Sequence, residues 1–340
     1  MQMLATRNPP LATILSLCKF PKNSENANPV SASTLHMAAT AADDLANAQG
    51  LTRRLAQTHY ENFSVVSLLL PRHLRQDFSN VYAFCRVADD LGDETGDRAE
   101  SLRLLADFRE QTLECFAGRA KTPVFVALAQ TIGRHQLPPQ PFLDLIDAFE
   151  QDQRVLRYQN YDQLLDYCRR SANPVGRLVL HLCRYRDEQR QQLSDRTCTA
   201  LQLANFWQDV RRDVLDRGRI YLPRQSMDRF GVTEGQILRG ECDDHFRALL
   251  RFEVDRTAEL FDRGAALLPM LRPSVRMQVA LFGKGGRAVL SAIRRQNYDT
   301  LSRRPRLSKW QKGELVFSTL AAFAGSLLSG GLALRSGGRR

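Results

Sequence analysis

The sequence contains no Cys-x-x-Cys pair. Its seven cysteines, at positions 18, 85, 115, 168, 183, 198 and 242, are scattered, several inside apolar helical patterns. That excludes a disulfide frame or a zinc site and reads as reduced thiols in a cytosolic protein. A run of alternating β-branched residues is missing too, so a sheet protein is excluded. There is no Rossmann fingerprint, and the Gly283–Gly286 cluster has neither a preceding strand nor Walker spacing. Internal repeats and long low-complexity linkers are absent as well. Positive charge is in excess, with 48 Lys and Arg against 37 Asp and Glu and a net charge of +11, yet it is gathered into no basic run. Arg is interleaved with acid along most of the chain. Without a helix-turn-helix or zinc pattern, nucleic acid is not an expected partner. Charge carried on Arg suits bidentate contact with phosphate or carboxylate, and an anionic membrane or a phosphorylated substrate fits that balance.

What is present is ordinary globular composition over 340 residues, with 43% hydrophobic and 25% charged residues. Residues 1–40 lack sustained periodicity and read as a disordered extension, with Met37 a candidate start; a transit peptide is the alternative. From Ala41 the pattern is helical nearly throughout, punctuated by Pro71, Gly118–Pro123, Pro138–Pro141, Pro174, Gly218, Pro223, Pro273 and Pro305. The expected architecture is all-α, one domain over residues 41–312, followed by an apolar helix and basic tail over 313–340. Leu315–Leu334 carries no charge, but its glycines and hydroxyl residues make a final core helix a better reading than a membrane span. Arg335, Arg339 and Arg340 allow a peripheral membrane contact in either case.

Two stretches carry the chemistry. In the first, Tyr82–Asp93, a helical wheel at about 100° per residue collects Val81, Phe84, Val87, Ala88 and Leu91 on one side. Tyr82, Arg86, Asp89, Asp90 and Asp93 fall on the other. Acids four apart on a helix repel each other by a few tenths of a kcal/mol, so Asp89 and Asp93 invite a divalent cation; a solvated amphipathic face is the competing reading. In the second, Gln202–Asp216, one sector holds Gln202, Asn205, Gln208, Asp209, Arg212, Asp213 and Asp216. Leu203, Phe206, Trp207, Val210 and Val214 oppose them. Carboxylates at i, i+4 with an amide oxygen at i−4 suit Mg²⁺, which takes one or two carboxylates and completes its shell with water and substrate phosphate. Two such faces argue for a shared metal site better than either alone. The chemistry that needs it is ionisation of an allylic or cyclopropylcarbinyl diphosphate, with the cation sheltered in a dry aromatic pocket.

These motifs, followed by Arg219-Ile-Tyr221-Leu-Pro223, resemble those of the squalene/phytoene synthase family of head-to-head prenyl-coupling enzymes. The resemblance covers roughly residues 50–310. It implies the all-α isoprenoid synthase fold, a helical bundle around a central apolar cavity, and Mg²⁺, two or three ions, held by Asp89, Asp93, Asn205, Asp209 and Asp213. It further implies catalytic roles for Tyr82, Arg86, Asp89, Asp93, Asp209 and Asp213. Substrate contacts are expected from His59, Phe63, Arg86, Tyr167, Gln202, Asn205, Arg212 and Arg303, the last of these where a late diphosphate-binding Arg belongs.

The departures from the family pattern bear on the reaction. Gln208 stands where the family has Arg, the middle motif reads Asn173-Pro-Val-Gly176 where Ala-Gly usually precedes Val-Gly, and a late helix that often carries Tyr reads Phe282-Gly-Lys-Gly-Gly-Arg287. Together with the largely apolar stretch Glu61-Asn-Phe-Ser-Val-Val-Ser-Leu-Leu-Leu-Pro71 they resemble the bacterial hopanoid-pathway branch, hydroxysqualene synthase, which ionises presqualene diphosphate, quenches the cation with water and releases diphosphate. NADPH is then not expected. Coupling of two prenyl diphosphates to presqualene diphosphate, squalene or phytoene is the alternative within the fold. A non-catalytic helical protein that docks on membranes or pathway enzymes is the alternative of another class. The expected location is the cytoplasm, with or without membrane association.

Overall fold

The computed structural model describes residues 41–58, 71–93, 95–308, 310–311, 313–315 and 317–319. Its helices are α1 (Ala41–Thr58), α2 (Arg75–Asp93), α3 (Arg98–Phe116), α4 (Pro123–His135), α5 (Gln140–Asp152) and α6 (Tyr161–Ser171), then α7 (Asn173–Leu182), α8 (Glu188–Arg217), α9 (Arg224–Phe230), α10 (Glu234–Arg239), α11 (Asp244–Gly264) and α12 (Pro273–Arg295). The punctuation read from the sequence sits at their ends. Pro123 and Pro273 open α4 and α12 from the first turn, where a missing N–H costs nothing. Asp97, Asn160, Asp187 and Asp243 cap α3, α6, α8 and α11, each accepting a main-chain N–H of the first turn.

Two hydrophobic clusters fill the bundle. In the first, Phe84 of α2 meets Phe108, Phe125 and Phe142 with ring centroids 5.0, 6.1 and 4.9 Å away, tying α2 to α3, α4 and α5. The second gathers α6, α8, α11 and the end of α12 around Trp207, whose indole N–H donates to Thr257 Oγ1 at 2.8 Å. The thirty-residue α8 is the central post, packed by α6, α7, α11 and α12. Glycines let these neighbours close in. A Cβ on Gly286 of α12 would lie 2.3 Å from Phe261 Cζ, and one on Gly176 of α7 would lie 2.5 Å from Ser194 Oγ and Cys198 Sγ of α8. Close helix packing is therefore what Gly286 provides, whereas the Cβ position of Gly283 opens onto free space.

α8 ends at Gly218, whose φ of 67° turns the chain left-handed without a Cβ penalty. The following segment runs back alongside the connection between α5 and α6. Ile220 N donates to Leu156 O at 3.0 Å, Arg224 N to Tyr158 O at 2.8 Å, and Arg157 Nη1 to Gly218 O at 2.6 Å. This pairing fixes Arg219 and Tyr221 against the C-terminal end of α5. Among the described residues no helix is long and apolar enough to cross a membrane; most of Leu315–Leu334, and all of residues 1–40, lie outside them.

Candidate active site

The polar face of α2 is not a solvated one. Asp89 is 1% exposed and its Oδ1 has no protein partner, while Arg86 reaches Asp89 Oδ2 at 3.4 Å and also pairs with Asp90. Burial pushes the Asp89 carboxyl well above the usual range; Asp93 and Asp90 add to the rise and Arg86 opposes it. Tyr82, one turn before Arg86, has its hydroxyl pushed up by burial as well. A cluster of acids sunk into a bundle costs free energy that a surface face would not.

On α8 the helix breaks at Asp209, whose φ of −110° and ψ of 16° lie in the sparsely allowed region between helix and strand. Asn205 and Gln202, one and two turns earlier, are buried, and neither side-chain amide finds a partner. Asp213 is half-buried, and its carboxyl is pushed up by its surroundings and then by the neighbouring Asp209. Arg212 pairs with Asp216 at 3.2 Å.

The two faces meet in one cleft with a cavity volume of about 190 Å³. Asp93 lines it from α2; Gln202, Asn205, Asp209, Arg212 and Asp213 line it from α8. Tyr82, Arg86, Asp89 and Asp90 lie outside the lining. Guanidinium groups bridge the acids: Arg217 lies 3.1 Å and Arg219 3.7 Å from Asp93, and Arg219 lies 3.4 Å from Asp152. Asp152 in turn accepts the Tyr167 hydroxyl at 2.9 Å, so Tyr167 reaches the cleft through Asp152. Tyr221 stacks on Phe206 with centroids 3.7 Å apart and planes 7° from parallel.

The late arginine needs a distinction of one residue. Arg303 is exposed, whereas Arg304 pairs with Asp209 Oδ1, donates to Asp209 Oδ2 at 2.8 Å and to Gln208 Oε1 at 3.1 Å. Gln208 donates to Pro305 O at 2.6 Å. The guanidinium missing from α8 at position 208 is thus supplied by the segment after α12. His59 and Phe63 lie outside the described residues, and so does the apolar stretch 62–70. Sequence reading passed over Asp152, Arg217 and Arg304. Asp152 had a signal: it continues the apolar stripe Leu145, Ile146, Phe149 of α5 at the next i+3 step, where an acid is out of place.

Among the described residues no three His, Cys, Asp or Glu side chains converge as a ready metal cluster. The donor set still fits Mg²⁺, which needs only one or two carboxylates from protein. The orphaned Oδ1 atoms of Asp89 and Asn205 are buried oxygens awaiting a partner of this kind.

The family profile described as Squalene/phytoene synthase matches residues 56–311. The chain belongs to the squalene/phytoene synthase family. It is an isoprenoid synthase with the all-α fold, and the non-catalytic docking reading is set aside. A phytoene synthase from Arthrospira platensis is 31% identical to this synthase over 274 residues, 77% of this chain and 89% of its own. A hydroxysqualene synthase from Zymomonas mobilis is 32% identical over 276 residues, covering 79% and 89%. Among solved structures, squalene synthase HpnC from Alicyclobacillus acidocaldarius is 49% identical, with a TM-score of 0.72 over 76% of this synthase and 97% of that chain. A dehydrosqualene synthase in complex with ligand shares the fold at 24% identity, with a TM-score of 0.71 over 83% of this chain and 97% of its own.

Proposed function

We propose that this synthase converts presqualene diphosphate to hydroxysqualene with release of diphosphate, in a Mg²⁺-dependent reaction. The observation that carries this reading is the polarity beneath the cleft. Gln202, Asn205, Asp152 Oδ1 and the Tyr158 and Tyr221 hydroxyls are buried polar groups without protein partners, set against the Phe206–Tyr221 stack. Buried groups of that kind are satisfied by bound water. A carbocation formed against these rings has water within reach, which favours an alcohol over a hydrocarbon. The hydroxysqualene synthases among the relatives support the same branch.

In this scheme the diphosphate enters the cleft between α2 and α8. Arg212, Arg217 and Arg304 hold its oxygens in place of their present carboxylate partners, while Arg219 stays on Asp152. Asp89, Asp93, Asn205, Asp209 and Asp213 would hold Mg²⁺, which supplies Lewis-acid stabilisation of the departing diphosphate. Phe206 and Tyr221 offer their faces to the cation. Residues 41–312 form the catalytic domain, and the basic C-terminal tail makes a peripheral membrane contact.

Coupling of two prenyl diphosphates is the second reading, favoured by phytoene synthases at similar identity. Incubation with presqualene diphosphate and Mg²⁺, with and without NADPH, and separately with farnesyl diphosphate, tests the two. Hydroxysqualene formed without NADPH supports the first reading; a product from farnesyl diphosphate alone overturns it.

A further inference from the structure

Asp152 lines the cleft next to Tyr167, whose ring stacks on Tyr221. It closes α5 and is 3% exposed. Its Oδ2 is occupied, accepting the Tyr167 hydroxyl at 2.9 Å with Arg219 Nη1 3.4 Å away, and Arg219 Nη2 donates to its main-chain oxygen at 2.9 Å. Those contacts lock the carboxylate in one orientation. Its other oxygen, Oδ1, is buried and has no partner. Asp152 lines the same cleft as Gln202, Phe206 and Tyr221. Of the other acids lining it, Asp93 pairs with Arg217 and Arg219, Asp209 with Arg304 and Asp216 with Arg212, Asp97 caps α3, and Asp213 is assigned to Mg²⁺ in the reaction proposed above.

We propose that Asp152 Oδ1 accepts the proton from the water that captures the carbocation, a role that rests on the water-capture reading given above. The diphosphate leaves with the electron pair of its carbon–oxygen bond. A lone pair of the water oxygen forms the new carbon–oxygen bond. One O–H bond of that water then breaks, its electrons staying on oxygen and its proton passing to Oδ1. Substrate and water yield alcohol, diphosphate and a proton; neither oxidant nor reductant is needed. Tyr167 and Arg219 are positioning residues that keep Oδ1 turned to the water. Burial raises the Asp152 carboxyl to about 6, with Arg219 opposing the rise. A base of that strength is ionised at neutral pH and still a competent acceptor.

The test is product partition from presqualene diphosphate and Mg²⁺ in the full chain and in Asp152→Asn, with diphosphate release followed in parallel. Ionisation precedes proton transfer, so release persists in Asp152→Asn while the ratio of alcohol to hydrocarbon falls by about 100-fold, the usual weight of a positioned base. A ratio that stays unchanged overturns the proposal, whether release is kept or lost, because a purely structural role lowers both products together. Asp152→Glu retains the charge beside Arg219 but shifts the oxygen, and serves if the Asn variant fails to fold. It is expected to give an intermediate ratio, and a ratio equal to that of the unmodified enzyme overturns the assignment. If the unmodified enzyme forms no hydroxysqualene, the water-capture reading falls and takes this role with it. If it does form hydroxysqualene and the Asn variant keeps the ratio, the role of Asp152 alone falls.

Discussion

At the scale of single residues, the buried acids of α2 and of the cleft are placed against their own stability. Asp89 is buried with one oxygen unsatisfied, and its charged form is disfavoured in the folded protein. Asp89→Asn removes that charge while Arg86 keeps Asp90. The expected outcome is a melting temperature equal to or above that of the parent, with turnover lowered by about 100-fold or more, as for loss of an electrostatic group acting on the transition state. Thermal melting and steady-state kinetics on the same preparation check both halves. Gln208 carries another lesson. From sequence it is a missing arginine; in the structure its amide is tied to Pro305 O, and Arg304 brings a guanidinium to Asp209 in its stead. No local pattern announces that exchange, because it joins residues almost a hundred positions apart.

At the scale of elements, the two acidic helices were legible because a helix repeats its face every three to four residues, and the acids recur at that spacing. Which way the faces point was not. The last acid of the α2 stripe, Asp93, meets Arg217 of α8 and Arg219 of the segment after it across the cleft. The glycines of α12 divide along the same line. Gly286 lies against Phe261 and Leu201, and Gly286→Ala drives a methyl group into the Phe261 ring. Overpacking of this kind costs about 1–3 kcal/mol, to be read as a lower midpoint in urea unfolding. Gly283→Ala meets nothing within 4 Å and is expected to leave the midpoint unchanged or raise it.

At the scale of the whole molecule, the buried acids make stability depend on pH. Asp152 titrates near 6 in the folded chain against an ordinary carboxyl value of 3.8. Between those values the folded state holds a proton that the unfolded state has lost. The stabilisation is therefore complete below about pH 4 and lost as pH rises through 6. A shift of about two units corresponds to about 3 kcal/mol. Melting of the metal-free protein between pH 4.5 and 7 is expected to show stability falling with pH, and Asp152→Asn to flatten the slope; an equal slope in the variant counts against the assignment.

The sequence by itself determined the helical class, the breaks between helices and the two acidic faces, since each follows from local spacing, capping and proline chemistry. It also carried the family resemblance, because the paired acidic motifs and the Arg219–Pro223 segment are local strings. The tertiary structure alone decided which acids share a cleft, that Asp152 and Arg217 line it, that Arg304 pairs with Asp209 there, and that Tyr167 hydrogen-bonds to one of its carboxylates. Those relations depend on the pairing of residues 218–225 with 156–159 and on the return of the chain after α12. Contacts between distant segments are set by how the helices pack, and packing leaves no period in the sequence to read.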